Sequence, residues 1–134
     1  MTLRISLKDG EKMIVNGAVM RAVGRTDLVV ENKVALMRGR EVMTPEEATT
    51  PARRLYFACM LAYIGGENGR DAQRDRIVTL LGELVAALQA EEARALCTRL
   101  AHRLAVGDFY RALADCRSLI AYEAEALART GEPA

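Results

Sequence analysis

Apolar and polar residues keep two different periods along this chain, and the change falls near residue 43. In "LRISL", Leu3, Ile5 and Leu7 alternate with Arg4 and Ser6, the period of a half-buried strand. Asp9-Gly10, "EKMIV", Asn16-Gly17 and "AVMRAV" follow. Asp-Gly and Asn-Gly favour the positive φ angles that tight hairpin turns require, so the chain is expected to open as a meander. Gly24 to Asp27 predicts another turn, "LVVEN" and "KVALMRG" predict further short strands, and "REVM" a last edge. The expectation is four to six short strands in a small antiparallel sheet or roll over residues 1–43.

From residue 44 the apolar spacing turns helical. Thr44-Pro45-Glu46-Glu47 reads as a capping box, with Thr44 as cap, Pro45 in the first turn and Glu47 reaching back. Pro51 disfavours helical geometry at Thr50. This predicts one short turn, a break, and a restart with Thr50 as the new cap. The helix then runs to about Ile64, where Gly65-Gly66 ends it, and "GGENGR" is expected to be a loop. Further helices are expected over about 71–90, 91–106 and from Asp108 onward, with the tail after Leu127 frayed. Their core faces are Ile77, Leu81, Leu84, Val85 and Leu88; Ala93, Leu96, Cys97, Leu100 and Leu104; and Phe109, Leu113, Cys116 and Ile120. The fold class is therefore α+β: one domain with a β-rich lobe, 1–43, and a bundle of about four helices, 44–130.

The run Leu55 to Ile64 has no polar face, which predicts a central core helix. Tyr56 and Tyr63 lie on one side of it, placed to put their hydroxyls at a boundary.

Charge adds a mild asymmetry. Residues 1–43 hold eight Lys/Arg against five Asp/Glu, and the remainder eleven against thirteen. The molecule as a whole is not a polyanion glove. No aromatic residue precedes Tyr56, so the strand lobe is not a base-stacking platform of the usual kind. The three cysteines, Cys59, Cys97 and Cys116, each fall on an apolar helix face and read as reduced core residues. His102 sits alone on the polar side of its helix. No nucleophile with a base, no phosphate loop and no metal spacing is present, so neither an enzyme nor a cofactor is expected. No apolar stretch reaches the roughly 20 residues that a bilayer requires, and no membrane association is expected.

Arg53 and Arg54 are the sharpest local signal. Two cations in a first helical turn oppose the dipole unless an anion answers them. That anion is Glu46 and Glu47, a phosphate, or an acidic partner surface, and free N–H groups of the same turn would help an external anion.

"SLKDGEKMIVNGAV", "ENKVALMRGREVMTPEEATTPARRLYFACMLAY" and "GDFYRALADCRSLIAYE" resemble the three signature blocks of the FlbT family, in order from Ser6 to Glu123. The resemblance implies a cytoplasmic, non-enzymatic regulator of flagellum biogenesis. It implies association with the 5′ untranslated region of flagellin messenger RNA, repression of its translation and promotion of its decay, in opposition to a small partner, FlaF. In some members the effect on flagellin is positive. The resemblance brings no set of RNA-contacting residues. The candidates come from the residues themselves: Arg53 and Arg54 in the "TPARR" block, with Lys12, Arg21, Lys33, Arg38 and Arg40, and Arg4 beside them. The competing expectation is a protein adaptor that acts through FlaF or flagellin. A homo-oligomer joined through the edges of the strand lobe is compatible with both.

Overall fold

The computed structural model describes residues 2–130, apart from the side chains of Arg40 and Thr130. Five strands come first: β1 (Leu3–Leu7), β2 (Lys12–Val15), β3 (Ala18–Arg21), β4 (Thr26–Val30) and β5 (Leu36–Arg38). Four helices follow: α1 (Pro51–Ile64), α2 (Gly66–Ala87), α3 (Glu91–Ala105) and α4 (Phe109–Thr130). The α+β order predicted from the periodicity is the one observed.

The strands are not a simple meander. β1 pairs antiparallel with β4, while β2 pairs with both β3 and β5. Asn16 and Gly17, at φ 48° and 86°, form the tight β2–β3 hairpin that their dipeptide predicts. Asp9-Gly10 also turns, with Glu11 N–H donating to Lys8 O, but it passes the chain from one sheet to the other. "REVM" forms no edge strand; a 3-10 turn occupies Gly39–Glu41.

Alternation explains the layering. Met13, Val15 and Leu36 face Ile5, Leu7, Leu28 and Val30 across the two sheets, closing a small core. Met37, on the opposite face of β5, is fully buried in the helical core. The three-stranded sheet therefore lies between the β1–β4 ribbon and the helices.

Thr44 N–H and hydroxyl both donate to Glu47 Oε1 at 3.0 Å, holding the short 3-10 turn Pro45–Glu47. The chain then breaks and restarts at Pro51 as predicted, with Thr50 Oγ1 accepting from Arg53 N–H at 3.3 Å. α1 is the central helix: Ala52, Leu55, Tyr56, Ala58, Cys59, Met60 and Ala62 are all buried. Tyr63 Oη accepts from Leu36 N–H at 3.2 Å, and Tyr56 Oη donates to Glu41 O at 2.6 Å. Both hydroxyls sit at the boundary between strands and helices, fastening the β5 segment along α1.

From Gly66 the stretch "GGENGR" is helix, not loop. Gly65 caps α1 through Leu61 O, Gly66 adopts φ 63°, and α2 begins at once. The glycines that read as a loop serve a tight corner. A Cβ built on Gly69 would stand 2.8 Å from Leu61 O and 3.3 Å from Ala62 O. Only a bare backbone lets the first turn of α2 pass so close to the end of α1.

On α2 the buried positions are Ile77, Leu80 and Leu84; Leu81 and Leu88 pack partly buried, and Val85 faces solvent, against expectation. α3 and α4 present the stripes predicted for them. Asp108 Oδ1 accepts from Arg111 N–H at 3.2 Å and starts α4, which continues past Leu127 to Thr130; the rest of the tail expected to fray, 131–134, lies outside the described residues. Cys59 and Cys116 are buried side by side in the reduced state, Sγ to Sγ 4.0 Å. Asp115, buried, joins α3 to α4 through Arg99 Nε at 3.1 Å and Arg103 Nη1 at 3.2 Å.

Candidate nucleic-acid interface

The restart of α1 leaves two N–H groups to satisfy in its first turn. Pro51 has none. Ala52 N–H donates to Glu123 Oε2 at 3.0 Å, a carboxylate buried on α4, and Arg53 N–H goes to Thr50. Glu123 thus places a negative charge against the positive end of α1, where it is most favourable. The sequence expectation that free N–H groups flank the arginines is corrected here: they are taken by residues of the chain itself. Glu123 was missed because its partner lies 71 residues away. Only an acidic residue on the otherwise apolar face of α4 hinted at it.

Arg53 and Arg54 are left to the surface. Arg53 Nη1 donates to Thr49 Oγ1 and Arg54 Nη2 to Thr49 O, each at 3.5 Å. Among the described residues no carboxylate lies within 4.0 Å of either guanidinium. Glu47 is committed elsewhere. The Thr44 backbone and hydroxyl bonds hold its carboxyl below the usual range, and the field of Arg53 adds a smaller effect.

Lys12 and Arg21 form a second cationic pair. They are direct cross-strand partners on β2 and β3, both exposed, and no ion pair to either is found among the described residues. Like charges directly opposite repel, so an anion between them would stabilise the hairpin. Arg38 has a structural bond instead: its Nη1 donates to Ser6 O at 3.3 Å and ties the two sheets. Arg4 is exposed on β1. Arg40 lies in the 3-10 turn, and its side chain is outside the described residues.

Lys33 stands elsewhere. It lines a cleft of about 460 Å³ at the far end of α1 with Asn16, Tyr63, Arg70, Phe109 and Tyr110. Ten residues of α1 separate Arg53 from Tyr63, about 15 Å of helix rise. The predicted cations are thus dispersed: among the described side chains Lys12 lies opposite Arg21, and Arg53 is followed by Arg54. A second cavity of about 500 Å³, between α2 and α3, is mainly apolar, with Ile77, Val78, Leu81 and Leu104 among its walls.

Tyr63, the boundary tyrosine that the sequence predicts, lines the Lys33 cleft with Tyr110. Tyr63 and Tyr110 meet with ring centroids 5.8 Å apart, and Tyr110 is 51 % exposed. Arg70 lies over the Phe109 ring at 4.9 Å. Sequence inspection for aromatics on strands could not find them, because they reach the sheet's end from helices.

Among the described residues no group of three His, Cys, Asp or Glu could hold a metal ion, and no helix is long and apolar enough to cross a membrane. What the surface presents is paired cations and an aromatic cleft.

Residues 3–127 match the family model described as flagellar protein FlbT, so the chain belongs to the FlbT family. It is 36 % identical over 128 residues to a probable flagellum biosynthesis repressor protein FlbT of Caulobacter sp., covering 95 % of this chain and 97 % of that one. It is 35 % identical over 128 residues to the flagellum biosynthesis repressor protein FlbT of Caulobacter vibrioides, covering 95 % and 90 %. With the probable repressor FlbT of Agrobacterium fabrum it shares 36 % over 126 residues, covering 94 % and 84 %. No solved structure matches.

Proposed function

We propose that this protein represses flagellum biosynthesis by binding the 5′ leader of flagellin messenger RNA in the cytoplasm, limiting its translation and promoting its decay. The observation that carries the reading is the pair Arg53 and Arg54. Their helix dipole is already answered by Glu123, and among the described residues no carboxylate forms an ion pair within 4.0 Å with either guanidinium. Two adjacent guanidiniums offer forked donors that match phosphate oxygens. Lys12 and Arg21 supply a second such contact on the strand lobe. Phosphate contacts supply most of the affinity, and sequence is read from unpaired bases.

The test is a fluorescence anisotropy titration of the labelled flagellin leader with purified protein, against an unrelated leader of equal length. Tighter binding to the flagellin leader supports the reading. Equal, weak binding to both overturns it.

A second reading has its own support. β3 is an open edge whose Val19 and Met20 are exposed, and Val23 just beyond it is 86 % exposed. Such an edge accepts another strand. On this reading the protein is an adaptor that engages FlaF, flagellin or a second copy of itself, and acts on the message indirectly. Binding of the leader only after the partner is added would favour it.

A further inference from the structure

The cleft at the far end of α1 has walls that are already fixed. Asn16 N–H donates to Ala35 O at 2.9 Å, and Ala35 N–H donates to Asn16 Oδ1 at 3.0 Å, so the 33–35 loop is bound to the hairpin tip. Tyr63 Oη holds the next residue, Leu36. The hairpin tip itself rests on α1, where a Cβ on Gly17 would stand 3.3 Å from Ile64 O. Between these walls lie one half-exposed ring, Tyr110, and two cations, Lys33 and Arg70. No carboxylate within 4.0 Å of either cation is found among the described residues. The volume, about 460 Å³, is in the range of roughly 300–1,000 Å³ found for small-molecule sites.

Among the described residues the one acid lining the cleft is Asp108, which caps α4 and whose Oδ2 lies 3.7 Å from Arg111 Nε. A phosphate at the start of α4 would face that carboxylate. An uncharged base would not, and a π-face beside two cations is the usual surface for one.

We propose that this cleft holds one unpaired nucleobase of single-stranded RNA, stacked on Tyr110, with its flanking phosphates against Lys33 and Arg70. The site deepens the RNA reading above and rests on it. It lies about 15 Å along the α1 axis from Arg53. The arginine pair then supplies charge, and the cleft supplies the preference for an unpaired nucleotide.

The protein has four tyrosines and no tryptophan, so the difference in tyrosine emission between the parent and Tyr110→Phe isolates the Tyr110 ring. Purified parent, Tyr110→Ala, Tyr110→Phe and Lys33→Ala proteins are titrated with a single-stranded oligonucleotide from the flagellin leader and with the same sequence as a duplex. Thermal melts confirm that each variant is folded. The parent's emission is expected to fall on binding the single strand but not the duplex. Tyr110→Ala should bind about 5- to 100-fold more weakly, and Tyr110→Phe within about twofold of the parent. Lys33→Ala should weaken binding and flatten its salt dependence. Parent-like affinity in Tyr110→Ala, or equal loss in Tyr110→Phe and Tyr110→Ala, overturns the cleft assignment and leaves RNA binding standing. Failure of the parent to bind either form removes both. Quenching by a partner protein in place of RNA would also overturn the assignment.

Discussion

Replacing Glu123 tests whether the start of α1 is completed from α4. Its Oε2 accepts from Ala52 N–H at 3.0 Å, with Ala52 fully buried and Glu123 9 % exposed. Glu123→Ala removes a charge-assisted hydrogen bond, about 1.5–3 kcal/mol. It also removes an anion at a helix N-terminus, about 0.3–1 kcal/mol or more when partly buried. Together these predict a loss of about 2–4 kcal/mol, a fall in Tm of roughly 6–15 °C for a chain of this size. Glu123→Gln keeps an acceptor and loses the charge, so about 1–2 kcal/mol is expected. Glu125→Ala, on the exposed side of the same helix, should lie within about 0.5 kcal/mol of the parent. The assay is urea unfolding followed by far-ultraviolet circular dichroism, with a thermal melt beside it. A Glu123→Ala protein as stable as Glu125→Ala would refute the reasoning, since the buried N–H would then have found another partner at no cost.

Other predictions follow from particular contacts. Gly69→Ala forces a Cβ against Leu61 O and should cost about 1–3 kcal/mol, whereas Gly82→Ala, with nothing within 4 Å, should stabilise α2 by about 0.5–1 kcal/mol in the same unfolding assay. Burial holds the Tyr56 phenol above its ordinary value of 10.0, with the Arg117 bond opposing. A folded pKa above the unfolded one means that this stability is present below pH 10 and is lost as pH rises through the folded value. The parent should therefore lose Tm above about pH 10 more steeply than Tyr56→Phe, and parallel curves would contradict this.

Local signals were legible because their physics is local. The Thr50-Pro51 restart, the Asn16-Gly17 hairpin and the Asp108 cap each depend on residues a few positions apart. The apolar run in α1 announced the core helix, and the spacing of Tyr56 and Tyr63 announced their shared boundary. Strand pairing was not legible. Asp9-Gly10 makes a turn in either topology, and only the fit of Ile5 and Leu7 against Met13 and Leu36 across two layers decides that β1 leaves the meander for β4. "GGENGR" misled because glycine serves loops and close helix crossings alike, and the distinction lies in Leu61 O, on the neighbouring helix. Of the candidate site, the arginine pair was legible as an uncompensated charge. Its setting was not, because Glu123 arrives from α4, 71 residues further along the chain than its partner Ala52.

The central claim is that Arg53 and Arg54 meet phosphate. Its most direct measurement is the affinity for the flagellin leader at several salt concentrations, for the parent and for Arg53→Ala/Arg54→Ala. Each phosphate contact on a single strand contributes about 0.7 to the slope of log K against log salt. The account predicts weaker binding by the double variant at low salt and a slope shallower by about 1.4. An unchanged slope and affinity in a folded double variant would contradict it.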